Sequence, residues 1–224
     1  MKQLLAIDCI DKLSSFAHAI DGEIISYAEF KHDSLSAELL NNLNRFLLEN
    51  KIDINDFDVF AVCNGPGGYT SLRVAIATIK GITTSLNKKV QAVSKLAANA
   101  YKALQMQNEY QNIISFRKIR DSHYIFKQYD AVNILDAKNE EQFIEFNESA
   151  IKQFDKNAII CGDIPYELPK MIDSLLINGQ YKILEQVTKD ARIIAELAFA
   201  RKIYYESDKL DVLYPLPPKI HKKK

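Results

Sequence analysis

Residues 63–81 read CNGPGGYTSLRVAIATIKG and hold four of the chain's seven glycines, Gly65, Gly67, Gly68 and Gly81. The apolar run DVFAVCNG (58–65) before them has the character of a buried strand, and a helical period runs from Thr70 to Leu86 after them. A strand, a tight glycine turn and a helix in that order call for an α/β layer arrangement. Gly65, Pro66, Gly67 and Gly68 are read as the structural turn, with Pro66 stiffening it. Such a turn can also present backbone N–H groups to an anion at a helix N-terminus. The nucleotide fingerprints do not fit, however. A Walker loop needs Lys-Ser/Thr after its last glycine, and here Tyr69-Thr70-Ser71 follow, with no lysine before Lys80. A dinucleotide loop needs G-x-G-x-x-G after the first strand, which LLAIDCI (4–10) does not provide.

Around this stretch the first hundred residues are well ordered in pattern. LLAIDCI predicts a buried strand, and SSFAHAI (14–20) and EIISYAEF (23–30) flank Asp21-Gly22, a hairpin signal. Asp33-Ser34 can cap a helix that places Leu35, Leu39, Leu40, Leu43, Phe46 and Leu47 on one wide arc. KKVQAV (88–93) reads as a fifth strand, giving the order β-β-β-α-β-α-β. The second half repeats this grammar less clearly: NIISFRKI (112–119) and HYIFKQYDAV (123–132) as a strand pair, NAIICGD (157–163) as a buried strand, and KDARIIAELAFARKIYY (189–205) as an amphipathic helix. Residues 136–156 are polar and helix-compatible, YPLPP (214–218) stops regular structure, and HKKK (221–224) reads as a solvated end. Two lobes are expected, 1–104 and 105–224, with the terminal helix and tail packing back on the first.

Composition bounds the function. The 224 residues carry 29 basic and 29 acidic side chains, so no overall field draws the chain to nucleic acid or membrane, and any such contact must be local. No apolar run reaches the roughly 20 residues of a membrane span, and MKQLLAIDC meets an acid too early for a signal peptide, so a cytoplasmic protein is expected. Cys9, Cys63 and Cys161 lack C-x-x-C spacing and are expected to be buried thiols. His18, His32, His123 and His221 lie far apart in sequence, and no metal site is expected of them.

LLAIDCI near the start, the Asp21-Gly22 hairpin, His32 before the first helix and above all GPGGYTSLRVAIATIKGI resemble the TsaB (YeaZ) family, whose usual pattern is close to GPGSFTGLR-x-G-x-x-x-x-KG after an AIDTS opening. CGD (161–163) and a terminal helix followed by LYPLPP extend the likeness. The resemblance implies the actin-like ATPase (sugar kinase/Hsp70/actin) fold, α/β, with two duplicated lobes and mixed sheets. It also implies a non-catalytic dimerisation subunit of the complex that forms threonylcarbamoyladenosine on tRNA. Its partners would be a TsaD-like catalytic subunit, a TsaE-like ATPase and, through the complex, tRNA; alone, the chain would be able to form a homodimer. No cofactor is expected on this chain alone, and ATP or ADP and a divalent metal belong on the partner subunits.

The departures from the family pattern matter. Asp8-Cys9-Ile10 stands where Asp-Thr-Ser is usual, Gly68-Tyr69 replaces Ser-Phe, and Ser71 replaces Gly. In Ser115-Phe116-Arg117 only Arg117 matches the usual Asp-Ala-Arg. Asp8 and Asp163 are read as a vestigial nucleotide site, because Cys9-Ile10-Asp11-Lys12 offers neither glycine nor hydroxyl for a phosphate loop and only Gly162 and Gly179 remain in the second lobe. The resemblance further implies that catalytic relatives hold a metal through two histidines four apart, where Lys95 and Asn99 stand here.

The function is therefore expected on the helix surfaces. Leu72, Ala75, Ile76, Ile79, Ile82 and Leu86 form one stripe of the second helix, with Val74, Ala77 and Gly81 on the opposite side. Leu35, Leu39, Leu43, Leu72, Arg73, Val74, Ile76, Ala77 and Gly81 are the candidate partner interface, the small face being assigned to the partner and the bulky one to the chain's own sheet. Two alternatives stand beside this reading. One is a small-molecule kinase using Asp8 and Asp163 around Mg-ATP. The other is a tRNA-binding module acting through Arg117, Lys118, Arg120 and the Lys-rich tail.

Overall fold

The computed structural model describes residues 1–120, 122–136, 142–175, 180–185 and 190–214. The first sheet contains β1 (Gln3–Asp8), β2 (Leu13–Ile20), β3 (Glu23–Lys31), β4 (Val59–Gly65) and β5 (Lys89–Ser94), in the order β3-β2-β1-β4-β5. The second contains β6 (Asn112–Arg120), β7 (His123–Asp130), β8 (Ile144–Glu145), β9 (Ala158–Gly162) and β10 (Tyr181–Leu184), in the order β10-β9-β6-β7-β8. Read from β6, the second sheet repeats the topology of the first: an antiparallel meander on one side, parallel strands on the other. The two lobes are a duplication.

Five α-helices complete the layers: α1 (Leu35–Asn50), α2 (Tyr69–Leu86), α3 (Lys95–Met106), α4 (Leu168–Leu175) and α5 (Ala191–Arg201). The period-2 geometry of a strand explains where each one lies. Along β1, Leu5, Ile7 and the following Cys9 face an outer core under α1 and α2, whereas Leu4 and Ala6 face an inner core between the sheets. Both faces of β1 and β4 are covered, which is why their sequences are continuously apolar. The inner layer is built by α3, resting mainly on β6 and β9, and α5, resting mainly on β1 and β2. Each lobe's last helix thus packs across the middle of the molecule, so neither lobe closes its core alone. Burying the five apolar side chains of α1, Leu35, Leu39, Leu43, Phe46 and Leu47, is worth roughly 1.5–3 kcal/mol each before entropy is counted.

Three readings of the sequence change here. Residues 142–156 form the short strand β8 on the edge of β7 and a 3-10 turn over Glu148–Gln153 rather than a helix, and this stretch buries Ala150, Ile151 and Phe154 against the second sheet. The terminal helix stops at Arg201, where Lys202 takes a left-handed conformation (φ 53°) and its N–H returns to Ala198 O. The continuing segment straps the first lobe: Tyr205 pairs with Val90 and covers the edge of β5, and Leu213 N–H donates to Asn64 O at 2.8 Å. Leu40 belongs to the arc by sequence but is 59% exposed. Gly179, His221 and the HKKK tail lie outside the described residues.

The duplication extends to backbone strain. Gly65 ends β4 at φ +120° and Gly162 ends β9 at φ +94°, a region that favours glycine. A Cβ on Gly162 would stand 2.1 Å from Phe116 O, in the neighbouring strand's backbone, which cannot move without breaking the β6–β9 ladder. Gly162→Ala is expected to cost about 3 kcal/mol or more. A denaturant midpoint within about 1 kcal/mol of wild type would show that the strand end relaxes freely.

Candidate functional site

The two lobes meet at a cleft of about 710 Å³, built from the β1–β2 turn (Ile10, Asp11, Lys12), the start of α2 (Gly67, Gly68, Ser71), His32, the end of β6 (Arg117, Lys118, Ile119, Arg120), Tyr124, and Asp163-Ile164 after β9. Its position follows from the topology: the parallel strands of both sheets end there, and the turns that follow face one another. The predicted glycine turn forms one wall. Gly68 is the N-cap of α2, and Gly67 lies so close to the β1–β2 turn that a Cβ on it would meet Ile10 Cβ at 2.8 Å. Gly65 is held under Leu213 O, and Pro66 offers its carbonyl to the second lobe.

Arg117 takes that carbonyl. Its Nε donates to Pro66 O (3.1 Å), one terminal nitrogen to Asp163 (2.9 Å) and the other to Asp11 (2.6 Å). Burial opposes the charge of the guanidinium, but Asp11 and Asp163 outweigh it and its pKa moves up. Beneath this layer Asp8 is buried with the Lys95 ammonium, its ion-pair partner, at the first turn of α3. Burial again opposes the ammonium's charge and Asp8 outweighs it, so the Lys95 pKa is raised.

Asp8 and Asp163, predicted together as a vestigial nucleotide site, therefore have different fates. Asp163 lines the cleft, whereas Asp8 lies beneath it on its lysine. Each carboxylate already holds an internal cation, so the residues do not fit a magnesium–nucleotide complex, which needs a free acid for the metal. Among the described residues no group of three or more His, Cys, Asp or Glu is placed to hold a metal ion. Asn99, one turn after Lys95, is also buried. The cysteines are buried free thiols; burial pushes Cys9 up to about 12 and Cys63 upward as well, which removes them as nucleophiles at neutral pH. His18 is buried against Phe57 and Gln3, which lowers its pKa, and His32 contacts Asp11 O at the cleft edge.

The candidate interface residues separate into two groups. Leu35, Leu39, Leu43, Leu72 and Ile76 are 5% exposed or less and belong to the chain's own core, so their inclusion in a contact surface is corrected: the leucine arc of α1 covers the sheet. Arg73, Ala77 and Gly81 are exposed and Val74 is half-buried, leaving the small face of α2 open. Arg73 donates to the Tyr69 hydroxyl at 3.0 Å and lies over its ring, and Tyr69 stacks on Tyr214 with centroids 4.9 Å apart. Sequence reasoning missed the Lys95–Asp8 and Arg117–Asp11 pairs; the one available signal was the presence of charged residues at the ends of otherwise apolar strands and at a helix start.

The buried pair can be tested directly. Lys95→Met leaves an uncompensated carboxylate in the inner core and is expected to cost about 3–5 kcal/mol, whereas Lys95→Met with Asp8→Asn should recover most of that loss. A single variant as stable as wild type in chemical denaturation would mean that water reaches Asp8.

The comparisons with known proteins agree with this geometry. A family model described as TsaD: tRNA N6-adenosine threonylcarbamoyltransferase matches residues 29–204. The TsaB protein of Buchnera aphidicola, named for tRNA threonylcarbamoyladenosine biosynthesis, is 27% identical over 84% of this chain and 90% of its own length. A tRNA N6-adenosine threonylcarbamoyltransferase of Kosmotoga olearia is 43% identical over 25% of this chain; the chain spans 18% of that protein's length and about half (52%) of the TsaB protein of Haemophilus influenzae. Among solved structures, YeaZ from Pseudomonas aeruginosa superposes with a TM-score of 0.72 at 19% identity, covering 96% of this chain and 100% of that one. A candidate N-acetylmannosamine kinase from Listeria monocytogenes superposes with a TM-score of 0.56 at 11% identity, over 89% and 99% of the two chains, which shows the shared two-lobed fold. The duplicated sheets, the glycine turn leading into α2 and the family match together place the chain in the TsaD-type threonylcarbamoyltransferase family, on its TsaB (YeaZ) branch.

Proposed function

We propose that the chain is a non-catalytic subunit of the machinery that forms threonylcarbamoyladenosine on tRNA, and that it docks a TsaD-like transferase on the small face of α2. The observation that carries this reading is the neutralisation of Asp8 by the chain's own Lys95 and of Asp11 and Asp163 by its Arg117, while Val74, Ala77 and Gly81 leave a helix surface that another backbone can approach closely. A Cβ on Gly81 would meet nothing within 4 Å, so no described residue fills that groove. The family likeness gives the reaction to which such a subunit belongs. ATP or ADP and a divalent metal are assigned to the partners, a TsaE-like ATPase and tRNA join through the complex, and the same α2 face serves a homodimer when the chain is alone. No described helix is long and apolar enough to cross a membrane, and the assembly is assigned to the cytoplasm. A kinase acting through Asp8 and Asp163 is disfavoured by their internal pairing.

Co-expression with the TsaD-like protein of the same organism, followed by measurement of complex mass, tests the partner. Ala77→Glu puts a charge into the close helix contact and is expected to weaken that complex a hundredfold or more, roughly 3 kcal/mol, while the variant stays folded as a monomer by circular dichroism because the site is exposed in the single chain. An unfolded variant would show this face to be core, and a folded one that still binds normally would move the seam elsewhere. The chain alone is expected to show no Mg-ATP hydrolysis; turnover abolished by Asp8→Ala would overturn the non-catalytic reading.

A further inference from the structure

The chain as a whole is electrically neutral, but the interlobe cleft is not. Four cations line it, Lys12, Arg117, Lys118 and Arg120, against two acids, Asp11 and Asp163. Both acids are taken by Arg117. Among the described residues, no carboxylate pairs with Lys12, Lys118 or Arg120; Lys118 lies 5.8 Å from the centroid of the Tyr124 ring, and Arg120 Nε is buried without a hydrogen-bond partner. The uncompensated charge comes from both walls, Lys12 from the first lobe and Lys118 and Arg120 from the second. The open first turn of α2, with no side-chain cap and with Gly67, Gly68 and Ser71 in the lining, adds backbone donors and the positive end of the helix dipole.

We propose that this cleft binds a phosphate-bearing ligand without a divalent metal, held between Lys12 and the Lys118–Arg120 edge of β6. A carboxylate presents a single edge, whereas phosphate esters offer oxygens to cations on opposite walls at once. The space is in the range of small-molecule sites, roughly 300–1,000 Å³, and exceeds what one inorganic ion needs. Magnesium finds no free carboxylate among the described lining residues, since Asp11 and Asp163 are both held by Arg117. The ligand is then a phosphorylated metabolite or the phosphodiester chain of an RNA, which share this chemistry. The proposal stands independently of the partner reading, because it concerns the isolated chain and residues away from the small face of α2.

The test is calorimetric titration of the full chain with inorganic pyrophosphate in EDTA at low salt. Saturable one-to-one binding with a Kd below roughly 1 mM is expected, weakened about tenfold or more in the Lys12→Ala/Arg120→Ala variant and also in Lys118→Ala, and unchanged in Lys170→Ala on α4. Added Mg2+ should weaken binding, since it complexes the free anion while both described acids of the cleft are held by Arg117. The proposal is overturned by non-saturating heats, by equal binding in the cleft variants, by an equal loss in Lys170→Ala, or by tighter binding with Mg2+. Given cleft-dependent pyrophosphate binding, a labelled tRNA transcript that is displaced by pyrophosphate and weakened by the same variants identifies the phosphate source as RNA; a transcript indifferent to both identifies it as a small phosphorylated compound.

Discussion

The relation between the two lobes depends on one guanidinium. Arg117 lies on the second sheet but spends its donors on three groups from three separate turns: Asp11 after β1, Pro66 before α2, and Asp163 after β9. Hydrogen bonds between charged partners contribute about 1.5–3 kcal/mol each where water is excluded, and only a planar fork with five donors satisfies all three directions at once. A lysine in its place would hold one partner and leave the others. Three turns from both lobes are thus tied to one another through the single side chain of Arg117.

Internal pairing of charge recurs one layer down. Asp8 ends β1 at the edge of a largely apolar inner core, and its burial is matched by Lys95, which enters from the start of α3. A buried pair of this kind adds little net stability compared with an apolar pair, yet losing one member is costly, so it fixes arrangement more than energy. It sets where α3 begins relative to β1, and α3 is the helix that rests on the opposite sheet. The pair thereby ties the end of the first sheet's β1 to the helix that carries the second sheet.

The first lobe was legible in the sequence because its signals are local: a continuous apolar run for β1, an Asp-Gly hairpin with Asp21 and Gly22 both at positive φ, and a glycine turn before α2. The second lobe was less so. Its β8 has two residues and β10 four, too short to show a period, and the 3-10 turn at Glu148–Gln153 borrows helix-compatible residues. The site was legible only in part, since Arg117 could be named but not its partners, Asp11 lying 106 residues away in the chain. The leucine arc of α1 misled about the interface for a related reason. Periodicity shows that a face is apolar, and only the fold shows whether the chain's own sheet already covers it.

Helix α2 connects these features mechanically. Its first turn is fitted against Ile10 with no space for even a methyl group at Gly67, its buried stripe lies on the first sheet, and its exposed face begins beside Arg73 and Tyr69. Tyr69 in turn stacks on Tyr214, the last described residue of the segment that straps β5 and reaches Asn64. An object pressed against the open face cannot shift α2 along its axis without moving Gly67 into Ile10 or unstacking Tyr69 from the strap. Close-packed contacts of this sort resist small displacements instead of absorbing them. The surface offered by Val74, Ala77 and Gly81 is consequently stiff, and a stiff surface loses less conformational entropy when a partner settles on it.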